Sequence, residues 1–465
     1  MRFVAKGLLG FAGAMVLVAM PAHAVTQIDT KAQAALTAMQ SLNVIVLGNY
    51  NNSGNGDIEG KAWVGGNATG NKLQVGFGNS SQSAGQSSYK TLTVVGNMAN
   101  GADLYNGTVA NGTVGTYNSS ATGSYGLKVG GNMTDGDHGV DTKANNGVIT
   151  IGGYVNRLTL DGSGQTVTVN GALGSSFTEN ASNTTVRAQS YGGNINNIGS
   201  GSNVYISGSI NNQNNVAGWH GNVSQTLNAP TTSSMASDVS TMAANMKDLS
   251  VHLSSLGSTN TMQMIGAGGN STVYDMLFNI TNTTNGYAVF NVSAAQLFSS
   301  NARGIGFELN GQSISGLNIP IVINITGLAN GTNYNLNLGA GVYGYGNAIY
   351  DSSLASDIIW NLGGYTGTLT TSSQIEGSVL TPYGTLDTTN GQNIEGSVVA
   401  SVFSQGGEVH LGTLDASDSS GANIVKLATV SAVPETSAWN MMIVGFGLVG
   451  SVIRRRKPRH LPIFA

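Results

Sequence analysis

Glu59, Glu376 and Glu395 share one local phrase, each standing between an Ile and a Gly. Two carboxylates about 5–10 Å apart are what glycoside hydrolysis needs. The segments Ile375-Glu376-Gly377-Ser378-Val379 and Ile394-Glu395-Gly396-Ser397-Val398 begin 19 residues apart. If that interval is one coil of a β-solenoid, Glu376 and Glu395 lie about 4.8 Å apart on neighbouring strands. The plainer expectation is that each glutamate is a solvated strand residue accepting turn hydrogen bonds. Asp135, Asp137 and Asp141 form the densest acidic loop and offer oxygens to Ca²⁺. The turn Gly and terminal Glu of an EF-hand loop are missing from their places, so no metal is expected there. The six His residues are scattered without metal-ligand spacing. With no Cys there is no thiol nucleophile, and no Gly-x-Ser-x-Gly elbow precedes a helical pattern. The expectation is a non-enzymatic chain with no cofactor, the alternative being a polysaccharide-active hydrolase or lyase.

The elements that would position these residues repeat a small phrase. Ala62-Trp63-Val64-Gly65-Gly66-Asn67-Ala68, Val94-Val95-Gly96-Asn97-Met98, Val129-Gly130-Gly131-Asn132-Met133 and Ile151-Gly152-Gly153-Tyr154-Val155 alternate apolar residues around a glycine corner. Alternation gives half-buried short strands, and the glycines are read as permitting the bend between them. Ile151 and Val169 are 18 residues apart, again near one coil of a parallel β-helix. Other intervals are longer, so loops must interrupt the stack. The fold class is therefore mainly β: an irregular parallel β-helix.

Two segments break the pattern. Val239, Met242, Met246, Leu249, Leu253 and Leu256 recur at helical spacing over about 234–256, giving a long amphipathic helix that packs along the solenoid or caps it, hiding an edge. A shorter helix is expected within 25–41. Segments 287–292 and 319–325 read as strands, the second rich in β-branched residues. Thr91, Thr93, Thr159, Thr166, Thr168, Thr366, Thr368 and Thr370 suggest an ice-binding array but do not recur once per coil. Trp63 and Tyr89 are among the aromatics that could stack on sugar faces if exposed, strand packing being the plainer role.

Composition limits the partners. Only 9% of the 465 residues are charged, against a typical value of about 25%. The surface must be hydrated by Asn, Ser, Thr and Gly. A net charge of -4 with no dense basic stripe before residue 454 gives no footprint for nucleic acid. Without disulfides, core burial and backbone pairing must supply the stability.

Both termini read as addresses. Arg2 and Lys6, the apolar stretch 7–20 and Ala22-His23-Ala24 form a signal peptide over 1–24, with Ala22 and Ala24 as the signal-peptidase site. At the other end, Pro434-Glu435 and Trp439 precede the apolar stretch 441–453 and the cluster Arg454-Arg455-Arg456-Lys457. The stretch is shorter than the roughly 20 residues of a stable span, which suits transient membrane insertion. The region 433–457 resembles the PEP-CTERM sorting signal of Gram-negative bacteria, which implies processing by an exosortase. Thr436 stands where a second Pro is usual, and 458–465 trail beyond the cluster. Leu42-Asn43-Val44-Ile45-Val46-Leu47-Gly48-Asn49-Tyr50, Asp57-Ile58-Glu59-Gly60, Ile359-Trp360-Asn361 and the Ile375 phrase resemble the choice-of-anchor A family over 42–412, with a linker at 413–432. That resemblance implies an ice-binding-like adhesive β-helix at the outer surface or in the extracellular matrix; the expected ligand, exopolysaccharide or matrix, follows from the many Asn, Ser and Thr groups that can hydrogen-bond it.

Overall fold

The computed structural model describes residues 26–54, 56–76, 89–99, 101–105, 126–134, 140–143, 145–209, 222–225, 235–267, 270–311, 319–338, 341–344, 355–411 and 427–431. They fall into two compact units. In one, Thr26–Ile28 pairs antiparallel with Thr429–Ser431. The other, Asp29–Ala428, is a parallel β-solenoid built on a 27-stranded sheet, with few helices.

Each coil lays short strands on three faces. The first coil contributes Val44–Val46 to face A, Tyr50–Asn52 to face B and Asp57–Ile58 to face C. The next stacks Ala62–Val64, Ala68–Gly70 and Leu73–Val75 upon them in parallel register. Alternate residues point inward: Val44, Val46, Val64, Val94, Leu127, Ile149, Val167, Val186 and Val204 line one continuous core. The sequence intervals hold, since Ile151 pairs with Val169 and Ile375–Glu376 pairs with Ile394–Glu395.

Gly377, at φ +104°, takes a bend as expected, but the glycines of the Gly-Asn phrases do a different job. Gly65, Gly66 and Gly96 are not among the residues with positive φ. They are small because the coil below is close. The side-chain carbonyl of Asn49 accepts from Asn67 N at 2.9 Å, that of Asn67 from Asn97 N at 2.8 Å, and that of Asn97 from Asn132 N at 2.8 Å. Asn132 closes the ladder on Tyr154 N at 3.0 Å. A Cβ on Gly66 or Gly96 would stand 2.5 Å from the Oδ1 of Asn49 or Asn67, inside van der Waals contact. Gly therefore makes room for the ladder.

The first strand of the solenoid lies in the middle of the stack. Val44–Val46 pairs with Ala62–Val64 on one side and with Val398, Val399 and Ala400 on the other. Coils run from there to Asn222–Gln225; a helix returns, and the strands Ala288–Ser293, Ile321–Thr326, Ile358–Asn361, Ser378–Asp387 and Val398–Gln405 wind back to the first coil. Coil-upon-coil stacking in sequence order thus holds within each half and fails at this seam. Buried Asn43 stitches it. Its Nδ2 donates to the carbonyls of Gly396 and His410, both at 3.0 Å, and its Oδ1 accepts from Gly60 N at 3.1 Å.

Two helices cover one part of face A. Helix α1, Thr30–Ser41, starts at Asp29, whose carboxylate accepts from Lys31 N and Ala32 N. Helix α2, Ala236–Ser255, turns Met242, Met246, Leu249 and Leu253 inward. Together they bury the outward side chains of Ile45, Val399, Leu380, Ile359, Val322 and Val289. This explains why Val44-Ile45-Val46 and Ile321-Val322-Ile323 are apolar without alternation: both sides are covered. Asn324 Nδ2 donates to Leu253 O at 2.8 Å and Asn361 Nδ2 to Ser250 O at 2.9 Å, fixing the C-terminal end of α2. The helix lies on a sheet face; it hides apolar side chains, not the strand edge expected from sequence. A second sheet of four strands, Met262–Ala267, Asn270–Ile280, Ala302–Leu309 and Gly341–Gly344, packs Phe278 5.1 Å from Phe290.

Asn43→Ala strands two carbonyls and one N–H at a buried junction. We expect a loss of about 2–4 kcal/mol in denaturant unfolding. A loss below about 0.5 kcal/mol would show that the seam does not rely on this side chain.

Candidate functional site

The three glutamates of the Ile-Glu-Gly phrase do converge, because the seam brings the first coil beside the last. Glu376 and Glu395 are register partners, Glu395 faces His410, and Val409 faces Ile58, which places Glu59 next in line. Gln374 Nε2 donates to Glu376 Oε1 at 3.0 Å and to Glu395 Oε1 at 2.9 Å. His410 Nδ1 lies 2.6 Å from Glu395 Oε1, and its Nε2 lies 2.7 Å from Glu408 Oε2. Glu59 Oε2 accepts from Leu411 N at 2.7 Å. The hydrogen bond to Glu395 raises the His410 pKa to about 9, burial opposes it, and Glu408 and the charge of Glu59 reinforce it. His410 is accordingly an imidazolium at neutral pH. Beside this group, burial and the charges of Glu408, Asp103 and Glu59 raise Asp57 to about 6.

Chemically this column is a set of occupied carboxylates. Glu376 is 3% exposed, and one carboxamide bridges it to Glu395. The signal that sequence reasoning lacked is His410, which lies 15 residues after Glu395, the length of a short coil.

Of the loop proposed for Ca²⁺, Asp135 and Asp137 lie outside the described residues. Asp141 sits on face C, opposite Asp103, with Lys72 Nζ at 3.3 Å and Lys143 Nζ at 3.6 Å. Burial would raise its pKa, but Lys143 and Lys72 outweigh that and hold it below the usual range. It is an ion-pair residue. Among the described residues no group of His, Asp and Glu is placed to hold a metal ion. Ala22, Ala24, Pro434, Glu435, Trp439, Arg454, Arg455 and Arg456 also lie outside the described residues. Among those described, no helix is long and apolar enough to cross a membrane.

The part of face A left uncovered among the described residues is the other candidate. One outward column can be followed strand by strand: Leu380, Val399, Ile45 and Trp63, then Thr93, Lys128, Thr150, Thr168, Arg187, Tyr205 and Ser224. It is apolar under the helices and polar beyond them. The Arg187 guanidinium lies over the Tyr205 ring, 4.7 Å from its centroid. Thr150 and Thr168 are neighbours, as are Thr159 and Thr178 on face C. The Thr runs are interrupted by Lys128 and Arg187. Stepping 18 or 19 residues from Thr168 reaches Arg187 and then Tyr205, so coil length was the signal that would have found them.

The raised pKa of His410 sets a pH dependence. Its stabilisation is complete below the unfolded value of about 6.5 and is lost as pH rises through about 9. Wild type should lose about 1–3 kcal/mol between these limits, and His410→Gln should show a flatter profile. Parallel profiles from thermal melts across that range would contradict the ion-pair assignment.

No curated protein matches this chain. Among solved structures, a crystal structure of an ice binding protein from an Antarctic bacterium, Flavobacteriaceae, is similar over 81% of this chain and 83% of that one, at 16% identity and a TM-score of 0.21. A family model described as "Putative Ice-binding-like adhesive domain" matches residues 35–146 and 129–411. That span runs from within α1 through the last strand of face C, and the chain belongs to this ice-binding-like adhesive domain family.

Proposed function

We propose that the protein is an exported, non-catalytic adhesin of the cell surface or extracellular matrix, binding polysaccharide along the uncovered part of face A. The observation that carries this reading is the outward column from Thr93 to Ser224. It presents hydroxyl, ammonium, guanidinium and phenol groups at the strand repeat of about 4.8 Å. A linear polymer laid across such a column makes many weak contacts whose sum is useful. An ordered ice lattice would favour unbroken Thr rows, and Lys128 and Arg187 interrupt these. Against a hydrolase or lyase stands the bridged carboxylate column, in which Gln374 holds Glu376 and Glu395 together and His410 holds Glu395. Membership of an adhesive family supports an extracellular location. The proposed route is signal-peptide removal at Ala22-His23-Ala24, transient insertion of the C-terminal apolar stretch, and exosortase processing at the Pro434-Glu435 motif.

One host experiment reads both halves. Made in an exosortase-containing Gram-negative host, the protein should reach the outer surface, shortened after about Pro434, and should be retained on matrix polysaccharide. Pro434→Ala/Glu435→Ala should keep the full mass. Thr150→Ala/Arg187→Ala/Tyr205→Ala should be processed normally but lose retention at least tenfold. Unchanged retention in the triple variant would refute the face A assignment, and an unprocessed wild type would refute the sorting assignment.

A further inference from the structure

The polar column of face A begins at a cavity. A pocket of about 470 Å³ opens where the helices stop, lined by Trp63, Tyr89, Lys90, Thr93, Lys128 and, from α2, Asp238 among others. The volume is that of a small-ligand site. Its basic groups stand out in a chain so poor in charge. Elsewhere on the solenoid, Lys72 and Lys143 are neutralised by Asp103, Asp141 and Asp161, and Arg303 in the second sheet is neutralised by Asp275. Lys90 and Lys128 have no ion-pair partner among the described residues.

The surroundings concentrate positive charge. Lys61, 2% exposed, lies behind the pocket and donates to Tyr89 O at 2.8 Å. Burial, and then the charge of Lys90, lower the Lys61 pKa to about 8. Lys90 is itself lowered by burial and by Lys128. An anion between these ammonium groups would relieve their mutual repulsion. Asp238, exposed on the α2 side, sets one limit: the anionic group must sit toward Lys90 and Lys128. Half-buried Tyr89 provides ring surface on which a pyranose stacks, Thr241 provides a hydroxyl, and buried Trp63 and Thr93 form the wall behind them. Because Trp63, Thr93 and Lys128 are successive members of the face A column, a polymer lying on that column can put one unit into the pocket.

We infer that this pocket binds an acidic sugar unit, a hexuronate, of the polysaccharide that face A holds. The inference rests on the adhesive reading and narrows its ligand to a polymer bearing carboxylates.

The test uses the whole protein and two probes, a galacturonate trimer and the neutral galactose trimer, compared by titration calorimetry. The acidic trimer should bind at least tenfold more tightly, and the difference should shrink as salt is raised. Lys90→Gln/Lys128→Gln should abolish the preference with an unchanged melting temperature, and Lys128→Arg should keep it. Equal binding of the two trimers by the wild type would overturn the inference without reference to any variant. If the wild type is retained on matrix polysaccharide yet shows no preference for the acid, the pocket assignment fails and the adhesive reading stands. Preferential binding of the acid without retention on any matrix polymer would leave the pocket and remove the adhesin.

Discussion

Pairing across the seam, between the first strand of the solenoid and the last, is the constraint on which the remaining structure depends. Ile45 stands between Trp63 and Val399 in one ladder, and Asn43 bonds across 353 residues of chain to Gly396. No disulfide holds that closure. Backbone hydrogen bonds, one carboxamide and two sheets of apolar contacts hold it. Closing so long a loop is slow and costs entropy before any contact is gained. The reward is a stack with no free strand edge at its centre.

Once the seam is fixed, the placement of every outward residue follows from register. The strands nearest the seam carry apolar residues on both sides and so require a cover, which α1 and α2 supply. Farther along, the same column turns polar and needs none. Face C reads similarly: Glu376, Glu395 and His410 stack on consecutive coils, and Glu59 joins them because the first coil lies beside the last. A cluster that resembles a catalytic pair in sequence becomes, in three dimensions, an ion-pair ladder across the junction. What we propose the molecule offers to a partner is the stretch of sheet beyond the helices and the cavity at the head of that stretch.

Much of this was legible from residue spacing. Intervals of 18 and 19 residues marked the coils at Ile151 and Ile375, and the period of Met242, Met246, Leu249 and Leu253 marked α2. The β-branched residues of 319–325 announced a strand. The seam was not legible, because nothing local distinguishes a strand that starts a stack from one inserted into its middle. The glycines were misread for a related reason: corner flexibility is a local property, whereas the carboxamide of Asn67 above Gly96 belongs to another coil. The partnership of His410 with Glu395 and Glu408 required knowing which coil was short. Lys128 and Arg187 were not legible as column members because neither belongs to a Thr run and the coil intervals around them vary.

The most direct test of the adhesive account is hydroxyl-radical footprinting of the protein with and without matrix polysaccharide, with the length of the polymer measured in the same sample. The account predicts that Arg187 and Tyr205 lose reactivity on binding while the polymer keeps its length. Protection confined to 374–410, accompanied by shortening of the polymer, would contradict it and return the glutamate column to the role of an active site.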